Sequence, residues 1–160
     1  MIRLALVRHA TSDWGDASLA DHDRPLNPRG LRDAPRMAQR LADTGFAPQA
    51  IIASTAMRAA TTADFFCGPF QVPIELQDRL YGAPASLLLR AAAERGARSV
   101  IVVAHDPGMS VLAGELSGGA IAHMPTCAVA TFAWDEDDWD IATAIDPLSW
   151  TFETPLDVVG

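Results

Sequence analysis

An arginine and a histidine stand together at Arg8–His9, where the apolar run "LALV" (4–7) ends. A second arginine, Arg58, follows Ser54 by four residues, and a second histidine, His105, closes the run "RSVIVVA" (98–104). These residue types suit an anion. Guanidinium forks match phosphate oxygens in pairs, and a neutral imidazole is a nucleophile. Asp106–Pro107 reads as a helix start, with Asp106 as N-cap, and the free N–H groups of a helix start also favour an anion. Phosphoryl transfer needs mainly positioning and charge stabilisation. Arg8, His9, Arg58 and His105, brought together, supply both without a metal or another cofactor.

Strands and helices must deliver these four residues to one place. Arg3–Val7 reads as a buried strand, followed by a long polar loop over 9–30. Asn27–Pro28 reads as a helix cap, with an amphipathic helix over 31–41 that ends near Gly45. "PQAIIAS" (48–54) is a second strand. Residues 55–66 read as a helix with Met57, Ala60, Phe65 and Phe66 toward the core. "VPIEL" (72–76) suits an edge strand, where Pro73 is tolerated. Residues 85–96 form a helix closed by Gly96, 98–104 the strongest strand, and 106–119 a further helix. "CAVATFAW" (127–134) and "WDIATAI" (139–145) flank the acidic turn "DEDD" and read as a hairpin, and the tail from Pro147 is ambiguous. Strands alternating with helices predict a single-domain α/β fold over 1–160, a three-layer α/β/α sandwich with a mostly parallel sheet. In such sheets ligands bind beyond the carboxyl ends of the strands, which is where Arg8, His9, Ser54, Arg58 and His105 fall.

Composition narrows the classes. The 160 residues carry a net charge of −8, which argues against nucleic acid and against an anionic membrane surface as partners. All twelve cations are arginines, so any anion site is built from Arg, His and backbone N–H groups. Cys67 and Cys127 read as small buried apolar residues; two lone cysteines make neither a disulfide framework nor a zinc site. His22 and His123 lack metal-ligand spacing. No signal peptide and no run long enough to span a bilayer is found, so a cytoplasmic location is expected.

At this point the sequence resembles the histidine phosphatase, or phosphoglycerate mutase-like, superfamily. "LVRHA" (6–10), the Ser54-x-x-x-Arg58 spacing with Thr61 and Thr62 after it, and "VVAHDPGM" (102–109) are similar to its three signature elements. The small SixA-type phosphohistidine phosphatases share "RHAxSDW" (8–14), "DRPLNxRG" (23–30), "RLY" (79–81), "HxPG" (105–108) and "PT" (125–126). The resemblance implies that His9 is transiently phosphorylated. It implies that Arg8, His9, Arg58 and His105 form the phosphate-binding set, and that water releases the phosphate. Asp78 in "LQDRLYG" (76–82) stands where larger members carry a glutamate acid, one methylene shorter. Thr11 stands where small members often carry lysine.

Other readings remain beside these. Asp78 reads equally as a general acid or a surface carboxylate. Arg24 pairs with Asp21 or Asp23, or meets substrate. Ser12 serves phosphate or a turn. The tryptophans at 14, 134, 139 and 150 read as packing residues. The expected function is a metal-independent phosphatase acting on phosphohistidine in a protein, because the chain has no room for the cap that encloses phosphosugars in larger relatives. The alternatives are a small-molecule phosphomonoesterase of the same superfamily and a non-catalytic phosphate-binding module.

Overall fold

The computed structural model describes residues 1–158. The chain runs β1 (Ile2–Arg8), α1 (Pro28–Asp43), β2 (Ala50–Ser54), α2 (Met57–Phe70), β3 (Ile74–Gln77) and α3 (Ala85–Arg95). It continues through β4 (Ser99–Ala104), α4 (Gly108–Leu116), β5 (Val129–Trp134), α5 (Trp139–Ala142) and β6 (Ser149–Glu153), with 3₁₀ turns at Asp21–Asp23 and Asp78–Leu80. The six strands form one sheet in the order β3-β2-β4-β1-β5-β6. The first four are mutually parallel, and β5 runs antiparallel to both β1 and β6.

β4 is buried at all six positions, as its unbroken apolar run requires of a central parallel strand. Side chains alternate across the strands. Leu4, Leu6, Val100 and Val102 pack under α3 and α4 with Leu88 and Leu112. Ala5, Val7, Ile101 and Val103 pack under α1 and α2 with Met37, Leu41 and Phe66. The α/β/α sandwich is therefore as the sequence predicts. β3 is an edge strand, and Asn27 caps α1 by accepting a 2.8 Å hydrogen bond from the Gly30 amide.

Three expectations are corrected. Residues 139–145 do not form the return strand of a hairpin: 139–142 are helical, and the partner of β5 is β6, within the tail read as ambiguous. The cause is local. The Asp138 carboxylate accepts from the Asp140 amide, and the buried residues Trp139 and Ala142 have helical rather than alternating spacing. Met57 is not in the core; it lies exposed at the start of α2. Trp14 is 76% exposed rather than packed inside, and the Arg24 guanidinium stacks 3.3 Å above its ring. Among the described residues no helix is long and apolar enough to cross a membrane.

Candidate active site

The register of the sheet brings the predicted residues together. Arg8 ends β1 opposite Ala104 of β4, and His9 and His105 are the next residues of their chains. The His9 amide donates to the Ala104 carbonyl at 3.0 Å. Ser54 ends the neighbouring β2, and Arg58 lies in the first turn of α2. The imidazole centroids of His9 and His105 are 5.1 Å apart.

His9 is 7% exposed, and its Nδ1 lies 2.8 Å from the Ala10 carbonyl oxygen. A carbonyl only accepts, so Nδ1 carries the proton and Nε2 keeps its lone pair. Burial holds the imidazole down at about 4, against the opposing bond to Ala10; the charges of Arg58, Arg8 and Arg24 reinforce the shift. His9 is thus neutral near pH 7. The loop after it is pinned: the Ala10 amide donates to Thr62 Oγ1, which in turn donates to the Arg58 carbonyl. The Cys127 amide meets the carbonyls of Arg8 and His9 at 3.0 Å each. Cys127 itself has a left-handed backbone, φ 62°, and burial pushes its thiol pKa up, so it is no thiolate nucleophile.

Arg8 donates through Nη1 to the Met124 carbonyl at 2.8 Å and lies 3.5 Å from Asp106 Oδ2. Arg58 donates through Nη1 and Nη2 to the carbonyl and carboxylate of Asp21, at 2.7 and 3.0 Å. Arg8 Nε, Arg58 Nε and His105 Nδ1 are buried and have no hydrogen-bond partner among the described residues. Buried donors are ordinarily satisfied. Three such nitrogens, on residues that the strand ends and α2 place at one edge of the sheet, suit an anion with several oxygens. His105 is likewise held low, at about 3, by burial first and then by His9 and Arg58.

The other candidates divide. Asp106 is not the N-cap expected of it: α4 begins at Gly108 with Pro107 at the cap position, and the Asp106 carboxylate, one residue earlier, accepts from the amide and hydroxyl of Ser110 at 2.8 and 2.7 Å. Asp78 is exposed at the carboxyl end of β3, and among the described residues its side chain makes no hydrogen bond or ion pair with the four pocket residues. Arg24 pairs with Asp21 at 3.2 Å. Ser12 is buried and bridges to Leu26. Thr11 Oγ1 meets Thr126 Oγ1 at 2.7 Å, which ties the loop to the "PT" segment. His22 lies 2.9 Å from Thr55 Oγ1, while His123 is exposed.

Two contributors were missed in the sequence. Asp21 joins Arg58, Arg24 and the Tyr81 hydroxyl, which donates to its Oδ2 at 2.5 Å. Tyr81 in turn lies edge-on to His105, with centroids 5.5 Å apart. The bond from Tyr81, then Arg58, hold the Asp21 carboxyl down at about 2, against the cost of desolvation. The only available signals were the "DHDRPL" and "DRLYG" segments, which meet across the fold. A separate cavity of about 660 Å³ lies at the opposite edge, lined by Arg3, Met37, Arg40 and Arg98 among others, and contains none of the residues above.

The histidine phosphatase superfamily (branch 1) profile matches residues 4–82, which include Arg8, His9 and Arg58. A SixA protein of Agrobacterium tumefaciens, assigned as a phosphohistidine phosphatase, superposes with a TM-score of 0.75 at 30% identity, covering 82% of this chain and 91% of that one. This chain belongs to the histidine phosphatase superfamily. It is a phosphatase with SixA-like structural neighbours and the phosphoglycerate mutase-like fold. The SixA protein of Nakamurella multipartitia, with the same assignment, superposes with a TM-score of 0.85 at 26% identity over 97% of this chain and 96% of that one. A chloroplastic protein of Arabidopsis thaliana is 31% identical over 165 residues, 94% of this chain and 75% of that one. The superposition carries the likeness beyond residue 82, over the part of the histidine phosphatase fold that holds His105.

Proposed function

We propose that this histidine phosphatase works without a metal through a phosphohistidine on His9, and that its substrate is a phosphohistidine carried by a protein. The observation that carries the reading is the orientation of His9. Its Nδ1–H is committed to the Ala10 carbonyl, and its Nε2 is left unprotonated in a ring whose centroid lies 5.1 Å from that of His105 and which feels the charges of Arg58 and Arg8. In the first step the Nε2 lone pair forms the new N–P bond. The scissile N–P bond breaks, and the leaving imidazole nitrogen keeps the electron pair. In the second step water attacks phosphorus and releases its proton to solvent, while the bond from phosphorus to His9 Nε2 breaks and returns its electron pair to Nε2. The two guanidinium groups and His105 hold the phosphoryl oxygens throughout.

The preference for phosphohistidine over a phosphate ester rests on the leaving group. A leaving imidazole can take its proton from water, whereas an alkoxide needs a placed acid. Asp78 is the sequence candidate for that acid, and it is exposed and, among the described residues, makes no hydrogen bond or ion pair with the pocket residues. The Agrobacterium and Nakamurella relatives bear the same substrate assignment. The segments 9–27, 78–84 and 117–128 border the strand ends, and a site bordered by short segments suits a phosphate carried on a protein. Two free cysteines, Cys67 and Cys127, fit a reducing compartment such as the cytoplasm.

The test is a substrate panel run with and without EDTA. Phosphohistidine in a protein or peptide should be turned over fastest, sugar phosphates and nucleotides slowly, and chelation should change nothing. Faster turnover of phosphomonoesters, with loss on Asp78→Asn, would make this a small-molecule phosphomonoesterase. Stoichiometric phosphate binding without turnover would make it a binding module. Loss of activity on chelation, restored by a divalent ion, would contradict the metal-independent mechanism.

A further inference from the structure

We propose that Ser54 sets the tautomer of His105, so that His105 enters the reaction as a neutral Nδ1–H donor to the transferring phosphoryl group. The tautomer follows from hydrogen-bond accounting alone; its use on a phosphoryl group rests on the function proposed above.

Ser54 is fully buried at the end of β2. Its Oγ accepts from the Ala56 amide at 3.2 Å and lies 2.8 Å from His105 Nε2. A hydroxyl has one proton to give, and leaving a buried one without an acceptor is costly. The Ala56 amide cannot accept. His105 Nε2 is the one acceptor that the Ser54 hydroxyl meets among the described residues. Ser54 therefore donates to Nε2, Nε2 is bare, and the ring proton of neutral His105 is on Nδ1.

The opposite tautomer has two faults. With a proton on Nε2, the Ser54 hydroxyl is a buried donor with no acceptor. His105 Nδ1 is then a bare lone pair, buried and unpartnered, which would repel a phosphate oxygen. With the proton on Nδ1, His105 joins Arg8 Nε and Arg58 Nε as a third donor. His9 and His105 thus hold opposite tautomers 5.1 Å apart. The Ala10 carbonyl bares the attacking nitrogen of one, and the Ser54 hydroxyl bares the non-reacting nitrogen of the other. Ser54 is a positioning residue, since it acts through His105 and does not touch the phosphoryl group.

The experiment is a long-range ¹H–¹⁵N spectrum of the ¹⁵N-labelled, phosphate-free enzyme near neutral pH, beside the kinetics of Ser54→Ala. His105 should show a protonated, pyrrole-like Nδ1 and a bare, pyridine-like Nε2. Ser54→Ala should lose that signature and lower kcat by about 10²-fold, the usual effect of losing one preorganised donor, with KM changed less than kcat. Ser54→Cys, nearly the same size with a weaker donor, should fall between the two, and it replaces the alanine variant if that fails to fold. A protonated Nε2 in the wild type would overturn the inference. So would an Ala or Cys variant that keeps the wild-type signature, whatever its rate. The spectrum is taken on resting enzyme, so it is independent of whether His9 is phosphorylated. The expected tautomer without a phosphoenzyme would remove the reading of His9 alone, and a phosphoenzyme with the wrong tautomer would remove the role of Ser54 alone.

Discussion

His9 and His105 face each other with ring planes inclined by 52° and centroids 5.1 Å apart. Each is anchored through the nitrogen the other leaves unanchored: Nδ1 of His9 on the Ala10 carbonyl, Nε2 of His105 on the Ser54 hydroxyl. A pair of imidazolium ions at this distance, with Arg8 and Arg58 adjacent, would be strongly repulsive. Neutral rings are what the site favours, and a neutral ring is what a nucleophile requires.

The first prediction concerns that neutrality. Following the His9 ring protons by NMR should give a midpoint near 4 rather than near the ordinary 6.5. The sign for stability follows. Between those two values the unfolded chain binds the extra proton and the folded chain does not, so stability is full above about 6.5 and falls as the pH drops toward 4. Urea midpoints should decline over this window, and less steeply in His9→Ala. A His9 midpoint near 6.5 would show that the imidazole is not desolvated as described.

Asp21→Asn separates orientation from charge. The carboxylate holds Arg58, Arg24 and Tyr81 at once, but it is also a negative charge beside an anion site. Neutralising it should lower kcat by about tenfold through a misplaced Arg58, while inorganic phosphate binds as tightly or more so in a calorimetric titration. The folded pKa of Asp21 lies below its unfolded value, at about 2 against 3.8. Its contribution to stability is therefore present above about 3.8 and lost as the pH falls through 2. The side chain is 48% exposed, so the stability gap between wild type and variant should be small. Weaker phosphate binding with kcat unchanged would contradict this role.

Gly30→Ala tests the packing that presents the pocket loop. A Cβ on Gly30 would stand 2.2 Å from the Thr11 carbonyl oxygen, a backbone atom that also accepts from the Asn27 amide. Neither side can yield cheaply, and a cost of about 1–3 kcal/mol is expected for such overpacking. Denaturant unfolding should show it, together with reduced activity because Thr11 follows His9 and Ala10 directly. An alanine variant as stable as the wild type would mean that α1 does not fix this loop.

Much of the site was legible in the sequence because four of its parts end strands or begin helices. Arg8, Ser54 and His105 follow apolar runs, and a parallel sheet forces such ends to one edge. Asp21 and Tyr81 were not legible as a pair. They are 60 residues apart, in segments whose local pattern says only turn. The misplaced second strand of the hairpin has a similar origin. Trp139, Ile141 and Ala142 are apolar enough to suggest a strand, and only the Asp138 cap and tertiary burial make them a helix. Trp14 was misread because its role, covering the Arg24 guanidinium, depends on a partner ten residues away across a loop.

The most direct test of the account is to trap the phosphoenzyme. Wild-type protein mixed briefly with a ³²P-labelled phosphohistidine peptide and quenched in alkali should carry label that survives base, is lost in acid, and maps to His9. His9→Ala should carry none, and its turnover should fall by at least about 10⁴-fold, because an oriented intramolecular attack can be worth roughly 7–11 kcal/mol. It should still bind inorganic phosphate, since Arg8 and Arg58 are untouched. An enzyme that turns over without ever holding acid-labile label, or a His9→Ala variant near the wild-type rate, would contradict His9 as the nucleophile.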